Sequence, residues 1–585
     1  MTTVNLTIDG RKVSADAQAT ILEAAKQLNI YIPTLCHLDM GELKYVNKSA
    51  SCRICVVEIE GRRNLAPSCA TPVAEGMVVR TNSKRVLRAR RKILELFLSD
   101  HPFDCLSCYK STDCELQTLA NNFGINTRPY QDGEMSTYVV DTSSSAIKRD
   151  LNKCIMCRRC ETMCNEVQTV HALTGYGRGF EAVVAPAEMK PLAESICTYC
   201  GQCVSVCPTA ALIGIEYHQD VWKAIFDETK TVIVQTAPAI RAAIGEEFGL
   251  TPGEPVTGKL AAGLRRLGFD GVFDTNFGAD LTIMEEAHEL LQRLESGEDL
   301  PILTSCCPGW INFLEYQFPD LINIPSSCKS PQQMFGAVAK TYYAEKIGVK
   351  PEDLVVVAVM PCLAKKYEAA RPEHGTNGVR DVDYVLTTRE LAKMFKEAGI
   401  DLNHLDDEGY DDPLGESTGA ADIFGVSGGV LEAALRTAYE KVTGETLEDV
   451  NFTAVRGMEG IKEASVTIGD KTLNVAVASG LGNARKVLEK IEEGTSKYHA
   501  IEIMACPGGC INGGGQPFVH GDYSKIEARM KALYTEDSRK TNRKSHENAS
   551  VKKLYDEFLG EPGSHKAHEL LHTEYFARKK YPAAQ

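Results

Sequence analysis

The hydrophobic pattern changes from short alternating segments near the N-terminus to longer hydrophobic runs in the second half of the chain. Residues 3–13 alternate on both sides of Asp9-Gly10, which predicts two antiparallel strands joined by a tight turn. Helical spacing follows over residues 20–26. Beyond about residue 216, continuous hydrophobic runs are typical of strands buried on both faces. These runs are residues 231–235, 354–359 and 473–478. They predict an α/β unit.

Three further segments have hydrophobic residues at helical spacing. Residues 83–98 predict a basic amphipathic helix. Its expected inward residues are Val86, Ile93, Leu94 and Phe97. Residues 280–296 predict a second helix with the buried stripe Met284, Ala287, Leu291 and Leu294. Glu286 and Glu289 lie on another face of this helix, where the pattern alone favours a solvated acidic surface. The polar tail from about residue 521 has helical spacing at Leu554, Tyr555, Phe558 and Leu559.

Length and composition indicate a multidomain globular protein. A chain of 585 residues corresponds to roughly four domains. The formal net charge of −15 argues against a nucleic-acid partner, because phosphate binding needs a basic surface. No hydrophobic run approaches the roughly 20 residues of a membrane span. The N-terminus lacks a basic segment followed by a hydrophobic one, so we predict a cytoplasmic location.

The 21 cysteines occur in tight groups, which indicates metal binding rather than scattered disulfide pairs. Two groups repeat the cysteine spacing of bacterial ferredoxins with two 4Fe–4S clusters, in which each fourth cysteine binds the other cluster. One cluster is therefore expected on Cys154, Cys157, Cys160 and Cys207. The other is expected on Cys164, Cys197, Cys200 and Cys203.

Two further groups precede this repeat. The first contains Cys36, Cys52, Cys55 and Cys69. Its strand–turn–strand–helix context favours a β-grasp domain with a 2Fe–2S cluster, and a zinc site is the alternative because zinc accepts the same thiolates. The second contains His101, Cys105, Cys108 and Cys114. Taken alone, its spacing fits a zinc knuckle and a 4Fe–4S cluster with one imidazole ligand equally well.

Three motifs in the second half each place a cysteine beside a proline. They are residues 304–310, 360–366 and 504–510. Proline fixes φ, so Cys307, Cys362 and Cys506 are expected on stiff turns, and Cys510 is expected on one helical turn with Cys506. Neighbouring glycines would let the backbone approach a bulky group. Buried structural cysteines are the alternative, but four thiolates from three rigid loops fit a cubane 4Fe–4S cluster.

These motifs resemble the signature motifs of the iron-only (FeFe) hydrogenases, and the resemblance runs over nearly the whole chain. It implies that the active site is the H-cluster, a 4Fe–4S cubane joined through one thiolate to a diiron unit with CO, CN⁻ and a dithiolate. The cubane ligands would be Cys307, Cys362, Cys506 and Cys510, with Cys510 as the bridge. The resemblance also favours a 4Fe–4S cluster at His101.

The resemblance implies roles for further residues. Cys306 would deliver protons to the active iron, and Glu286, Ser326 and Glu289 would connect it to solvent. Lys365 would meet one cyanide, although a surface lysine is the alternative. The residues expected around the diiron unit are Ala237, Pro238, Ala239, Gln332, Met360, Phe424 and Met504. Cys328 has no counterpart role and is expected to pack in the core.

The expected architecture is a multidomain α+β and α/β protein. Residues 1–80 would form the β-grasp 2Fe–2S domain, residues 81–142 the histidine-ligated 4Fe–4S domain, and residues 143–215 the two-cluster ferredoxin-like domain. Residues 216–520 would form a two-lobed α/β H-cluster domain. The helical tail, residues 521–585, would wrap this domain and resembles the small subunit of the family.

The expected reaction is H₂ ⇌ 2H⁺ + 2e⁻, with electrons relayed through one 2Fe–2S and three 4Fe–4S accessory clusters. Expected partners are ferredoxin, or the flavin and iron–sulfur subunits of an NAD(P)-linked complex, together with maturation proteins. Residues 480–485 are interpreted as a strand–helix turn rather than a nucleotide loop, because Arg485 replaces the third glycine. Alternative functions are an electron-transfer subunit, a hydrogen sensor and an iron–sulfur assembly protein. The three motifs, with Lys365 and Cys306, favour the enzyme over the electron-transfer subunit and the assembly protein. The sensor is disfavoured because sensors usually carry an appended signalling domain that this chain lacks.

Overall fold

The N-terminal part of the protein is a five-stranded sheet packed against one helix. The structure is a computed structural model that describes residues 2–43, 45–47, 50–130, 133–376, 378–469 and 471–580. Asp9 and Gly10 have φ values of 48° and 80°, as a tight hairpin turn requires, so the predicted hairpin is confirmed. Thr20 and Glu23 form a capping box at the start of the helix. In sheet order the strands are Arg11–Asp16, Thr3–Ile8, Val78–Arg80, Val56–Ile59 and Ala66–Pro67, and the helix is Ile21–Gln27. A ribbon of Leu38–Met40 and Tyr45–Asn47 follows.

The next part of the chain consists of short elements around the cysteines. Met156 and Tyr199 occupy matching positions in the two ferredoxin-like groups, with φ values of 51° and 56°, and Arg158 and Gly201 match at 61° and 76°. Non-glycine residues rarely adopt positive φ values. The two cysteine groups therefore repeat in backbone conformation as well as in sequence. The helices are Lys84–Ser99, Glu115–Asn122, Arg159–Thr162 and Gln202–Ser205. The strand pairs are Ile147–Arg149 with Leu212–Gly214, and Thr174–Tyr176 with Val183–Ala185.

Two four-stranded sheets form the second half of the chain, and both contain the predicted hydrophobic runs. The first sheet is wholly parallel, in the order Gly271–Asp274, Thr231–Thr236, Leu354–Met360 and Tyr384–Thr387. The second has the order Ile302–Leu303, Ala500–Met504, Lys471–Ser479 and Ile461–Ile468, and only the last strand is antiparallel. The three cysteine motifs follow the carboxyl ends of parallel strands, where sites in such sheets form.

Helices cover these sheets, and the tail packs on them. The longer helices are Thr257–Leu267, Thr275–Ser296, Pro308–Gln317, Pro331–Val338, Thr388–Glu397, Gly429–Thr443 and Leu481–Glu492. The shorter ones are His218–Ile225, Pro238–Arg241, Ala344–Ile347, Ala364–Ala369 and Gly419–Asp422. The tail forms Ser524–Arg539, Ala549–Leu554 and His565–Leu571. A small hairpin, Gly375–Thr376 with Val379–Arg380, completes the fold. Across the described ranges, no helix combines the length and apolar character needed to cross a membrane.

Of two predicted turns, the structure confirms one and contradicts the other. Gly480, at φ 88°, joins a strand directly to the helix Leu481–Glu492, which confirms the tight strand–helix turn. The expectation that Cys506 and Cys510 share a helical turn is wrong. Gly508 and Gly509 between them have φ values of 83° and 104°, and Cys510 begins a separate short turn of 3₁₀ helix.

Two predicted buried faces are wrong in detail. In the helix Lys84–Ser99, Ile93 and Phe97 are only half-buried, because Arg90 turns inward and donates to the carbonyl of Val56 at 2.9 Å. In the helix Thr275–Ser296, Leu291 and Leu294 are half-buried. The first part of this helix is enclosed on all sides, and its buried residues include both Glu285 and Glu286.

Candidate active site

The loops that carry the three motifs meet at one enclosed cavity. Cys307 precedes the helix Pro308–Gln317, where proline at the first helical position fixes the turn. Cys362 follows the strand Leu354–Met360, and Cys506 and Cys510 follow the strand Ala500–Met504. All four cysteines line the same cavity. The structure therefore brings together the four predicted cubane ligands from both sheets.

The chemistry of this cavity fits a metal cluster. Burial raises the pKa of all four thiols, and neighbouring thiols raise the pKa of Cys362, Cys506 and Cys510 further. Thiolates so close together need the positive charge of bound metal. The cavity walls also include every residue predicted around the diiron unit, namely Ala237, Pro238, Ala239, Gln332, Met360, Phe424 and Met504. Most of these side chains are apolar and exclude water.

Glycines bring the loops of the site into backbone contact with one another. A Cβ on Gly513 would lie 2.2 Å from the carbonyl oxygen of Pro361, and one on Gly514 would lie 2.7 Å from Cα of Gly201. A Cβ on Gly509 would lie 2.7 Å from the amide nitrogen of Ser427. The close approach expected at these glycines is therefore made to neighbouring loops.

Lys365 points into the site and not to the surface. Its side chain is 12% exposed, and its Nζ lies 3.0 Å from the carbonyl oxygen of Cys306 and 2.9 Å from Oε2 of Glu368. Burial lowers the pKa of Lys365, but the carboxylate of Glu368 outweighs burial, so the pKa is raised and the ammonium is kept charged. Gln332 donates to the same carboxylate at 3.1 Å, and its own Oε1 is buried with no partner among the described residues.

Cys306 and Glu286 form a buried pair of acids beside the cavity. Cys306 lines the cavity and packs with Phe424 and Met504. Burial and then Glu286 raise the pKa of its thiol well above the usual value. Glu286 is 5% exposed, and burial, followed by the charges of Glu289 and Glu502, raises its pKa to about 8. Burial therefore favours the protonated form of both groups, and the solvated acidic face is wrong at Glu286.

Glu289 lies between this pair and the surface. Its side chain is 14% exposed. Ser326 donates to Oε2 of Glu289 at 2.7 Å, and Arg293 donates to Oε1 at 2.5 Å. Cys328 is fully buried, as expected, and its Sγ lies 3.8 Å from the same Oε2.

Two smaller cavities gather the ferredoxin-like cysteines in the crossed arrangement. One is lined by Cys154, Cys157, Cys160 and Cys207. The other is lined by Cys164, Cys197, Cys200 and Cys203. The second cavity adjoins the main site, because Asn312 donates to the carbonyl of Cys197 at 3.1 Å and Gly309 packs against Cys200.

The two N-terminal groups also come together in space. The thiols of Cys55 and Cys69 are 3.4 Å apart, and Cys36 interacts with both Cys52 and Cys69. His101, Cys105 and Cys114 line one cavity. Burial raises the pKa of these two cysteines, and the thiol of Cys108 raises it further. Burial lowers the pKa of His101 to about 4. Its imidazole is thus neutral, as a metal ligand must be.

The sequence reasoning missed several residues of the site. Glu368, the partner of Lys365, lies three positions after it on a helix, and this spacing could have predicted the ion pair. In the tail, Tyr575 donates to the carbonyl of Ser326 and His572 contacts the hydroxyl of Ser327, both at 2.8 Å. No local pattern could predict these contacts, because 249 and 245 positions separate the partners.

Known protein families match most of the chain. Residues 230–514 match the iron only hydrogenase large subunit, C-terminal domain, and residues 523–578 match the iron hydrogenase small subunit. Residues 1–84 match a 2Fe-2S iron-sulfur cluster binding domain, residues 90–129 the NADH-ubiquinone oxidoreductase-G iron-sulfur binding region, and residues 192–213 a 4Fe-4S binding domain.

Individual relatives agree with these matches. The chain is 61% identical to the NADP-reducing hydrogenase subunit HndD of Solidesulfovibrio fructosivorans, over 99% of this chain and 100% of the relative. It is 41% identical to iron hydrogenase 1 of Clostridium pasteurianum, over 97% and 99%. A single-residue variant of the apo [FeFe]-hydrogenase HydA1 from Chlamydomonas reinhardtii aligns with a TM-score of 0.56 and 47% identity, covering 62% of this chain and 100% of that one. The protein therefore belongs to the iron-only hydrogenases, iron–sulfur oxidoreductases that interconvert H₂ with protons and electrons.

Proposed function

We propose that Cys307, Cys362, Cys506 and Cys510 hold the cubane of the H-cluster, with Cys510 as the bridge to the diiron unit. The observation that carries this proposal is the single cavity that these four thiols share with Cys306 and Lys365. When bound, the diiron unit supplies the metal centre at which H₂ is split or formed.

The chain's own residues orient the group and keep water out. The ammonium of Lys365, fixed by Glu368, offers a charged donor to a cyanide. Gln332 offers an amide oxygen that has no protein partner among the described residues. Ala239 is fully buried and leaves only a backbone N–H toward the second cyanide.

Proton transfer is proposed to run from Cys306 through Glu286 to Glu289 and Ser326. In addition to burial, Glu286 raises the pKa of Cys306, and Glu289 raises that of Glu286, so each group lies within electrostatic reach of the next. Glu289 is the partly exposed member, where a proton can pass to solvent. A neutral carboxyl at Glu286 can donate a proton to the thiolate and recover one from Glu289.

Electrons are proposed to pass through one 2Fe–2S and three 4Fe–4S accessory clusters. The cavity of Cys200 adjoins the main site and would hold the first cluster. The cavity of Cys157 and Cys207 would hold the second cluster. From this cluster, one branch of the electron relay would lead to the 2Fe–2S cluster and another to the His101 cluster. Asn47 donates to the carbonyls of both Cys36 (2.7 Å) and Cys157 (3.0 Å), which supports one branch to the 2Fe–2S cluster. Lys110 donates to the carbonyl of Cys207 at 2.7 Å, which supports the other branch to the His101 cluster.

The domain boundaries given above, 1–80, 81–142, 143–215, 216–520 and 521–585, are proposed with this assignment. A mixed five-stranded sheet packed on one helix supports the β-grasp class for the first domain. Contacts of Leu554, Tyr555 and Leu571 with the main core support a tail that wraps the catalytic domain.

The electron acceptor is proposed to be reached through flavin and iron–sulfur subunits of an NAD(P)-linked complex in the cytoplasm. The 61% identity to a subunit of an NADP-reducing hydrogenase supports this proposal. Ferredoxin is the second candidate, because a stand-alone ferredoxin-linked enzyme would have the same arrangement of cluster domains. Isolation from native cells as a single chain that reduces ferredoxin and shows no activity with NAD(P)⁺ would reject the complex. Maturation proteins that insert the diiron unit are proposed as further partners.

A direct test is hydrogen uptake by matured protein with methyl viologen as acceptor, combined with iron analysis. The proposal predicts hydrogen-dependent dye reduction and about 20 iron atoms per chain. Absence of uptake by protein with that iron content would reject the assignment of the cavity. One equivalent of zinc, with the iron content lower by about 4 or about 2 atoms per chain, would instead reject the His101 or the Cys36 assignment, respectively.

A further inference from the structure

Three metal-binding side chains from distant parts of the sequence meet beside the outer end of the proton path. A carboxylate oxygen of Glu289, Sγ of Cys328 and a ring nitrogen of His572 all lie within 4.8 Å of one another. Glu289 lies on the helix Thr275–Ser296, and His572 directly follows the tail helix His565–Leu571. A backbone bridge between Cys328 and His572 fixes their register.

The donor set suits one kind of cation. Carboxylate oxygen, thiolate and imidazole are the ligands that zinc takes in proteins, at bond lengths that place neighbouring ligand atoms about 3.5 Å apart. Sγ of Cys328 is already 3.8 Å from Oε2 of Glu289. The cluster thus needs to contract by only about 1 Å to reach tetrahedral zinc geometry.

The surrounding groups orient the ligands. His572 Nε2 lies 3.1 Å from Oε2 of Glu285, and in the tautomer that donates to this carboxylate Nδ1 presents its lone pair. Nδ1 now contacts the hydroxyl of Ser327 at 2.8 Å. A carboxylate behind a metal-binding histidine is a recurrent arrangement in zinc sites. Arg293 donates to Oε1 of Glu289. Oε2 accepts from Ser326 and from the amide of Ser327, and it lies 3.8 Å from Sγ of Cys328.

A second cluster of potential ligands is less suited to a metal cation. Glu440, His546 and Glu547 also place their ligand atoms within 4.8 Å of one another. However, the ammonium of Lys544 pairs with Glu440 at 2.5 Å and with Glu547 at 3.3 Å. This cluster already has its cation and contains no thiol.

We propose that Glu289, Cys328 and His572 form a site for one zinc-class divalent cation, and that its occupation closes the proton path at Glu289. A bound cation takes the carboxylate oxygen that now accepts from Ser326, so the carboxyl can no longer exchange protons. The tail supplies one ligand, which makes the docked tail part of the site. The claim that a bound cation closes the proton path rests on the path proposed above.

The test uses matured holoenzyme titrated with Zn²⁺ alone. One equivalent should bind, the zinc X-ray absorption edge should show one sulfur ligand, and hydrogen uptake should fall while the infrared bands of the H-cluster stay unchanged. Cys328→Ser and His572→Gln should each weaken zinc binding about tenfold or more and relieve the inhibition. His568→Gln is the matched control, because its ring stacks on His572 at 4.7 Å and lies outside the cluster, so it should behave like the wild type.

The outcomes separate the two halves of the proposal. Absence of a zinc equivalent with a sulfur ligand, or unchanged affinity in both variants, would overturn the site and leave the proton path untouched. Zinc that binds through Cys328 and His572 without slowing turnover would overturn the closure, and with it the role of Glu289 in the proton path.

Discussion

Ser326 donates a 2.7 Å hydrogen bond to Oε2 of Glu289, although 37 positions separate the two residues. The bond joins the segment between the helices Pro308–Gln317 and Pro331–Val338 to the helix Thr275–Ser296. Ser326 is fully buried and Glu289 is partly exposed. The pair thus links the interior of the site to the surface, which is the geometry that proton exchange with solvent requires.

Removal of either acidic group on this route should slow turnover without loss of the cluster. Glu286→Gln and Glu289→Gln keep size and polarity but cannot exchange a proton, so we expect hydrogen uptake to fall by about a hundredfold or more. Glu295→Gln, on the exposed end of the same helix, should have no effect. Infrared spectra should be alike in all three variants. Full activity of Glu286→Gln would show that protons enter by another route.

The raised pKa of Glu286 should make stability depend on pH. Burial, then the charges of Glu289 and Glu502, raise its pKa to about 8, against about 4.3 for an ordinary glutamate. The native state therefore holds a proton that the unfolded state releases, and this contribution to stability is lost as pH rises between these values. As the pH rises from 5 to 8, the unfolding temperature of Glu286→Gln should increase relative to that of the wild type. A constant difference over this range would contradict the shift.

The Lys365–Glu368 pair should govern retention of the diiron unit. Lys365→Ala removes the charged donor, so the CO and CN⁻ infrared bands should be weak or absent while the cubane signal persists. Glu368→Gln should reduce these bands partly, because Lys365 keeps its bond to the carbonyl of Cys306. Lys366→Met is the control. Lys366 pairs with Glu390, so this change should lower thermal stability and leave the infrared bands intact.

The His101 group should contain iron and not zinc. His101→Ala should lower the iron content from about 20 to about 16 atoms per chain, because one 4Fe–4S cluster is lost. The H-cluster spectrum should be unchanged, since the two sites share no ligand. Loss of one zinc with constant iron would assign this group to zinc instead.

Local patterns predicted much of the fold because their causes are local. The Asp9-Gly10 turn and the strand Leu354–Met360 follow from turn chemistry and hydrophobic runs in a few adjacent residues. The crossed cysteine groups follow from a spacing that repeats in the chain. These features needed no knowledge of distant contacts.

Distant packing explains what the sequence could not reveal. Arg90 is buried because the carbonyl of Val56 accepts its hydrogen bonds, and Leu291 is only half-buried because the enclosure of its helix ends before it. His572 meets Ser327 across 245 positions. The positive φ angles at Gly508 and Gly509 arise where loops from several elements come together.

Cys306 provides the most direct test of the proposed mechanism. Its thiol lines the cavity, is not one of the four proposed cluster ligands, and is kept protonated by burial and Glu286, which raise its pKa. A serine hydroxyl is a far weaker acid, so Cys306→Ser should assemble the full cluster and lose the large majority of turnover. Cys306→Asp restores an ionisable group at similar reach and should retain part of the activity.

The decisive measurement is therefore hydrogen uptake by matured Cys306→Ser, with the infrared spectrum of the H-cluster recorded on the same sample. The proposed mechanism predicts a wild-type pattern of CO and CN⁻ bands together with nearly abolished turnover. An intact spectrum with full turnover would contradict proton delivery by Cys306, and loss of the cluster would show that Cys306 is itself a ligand.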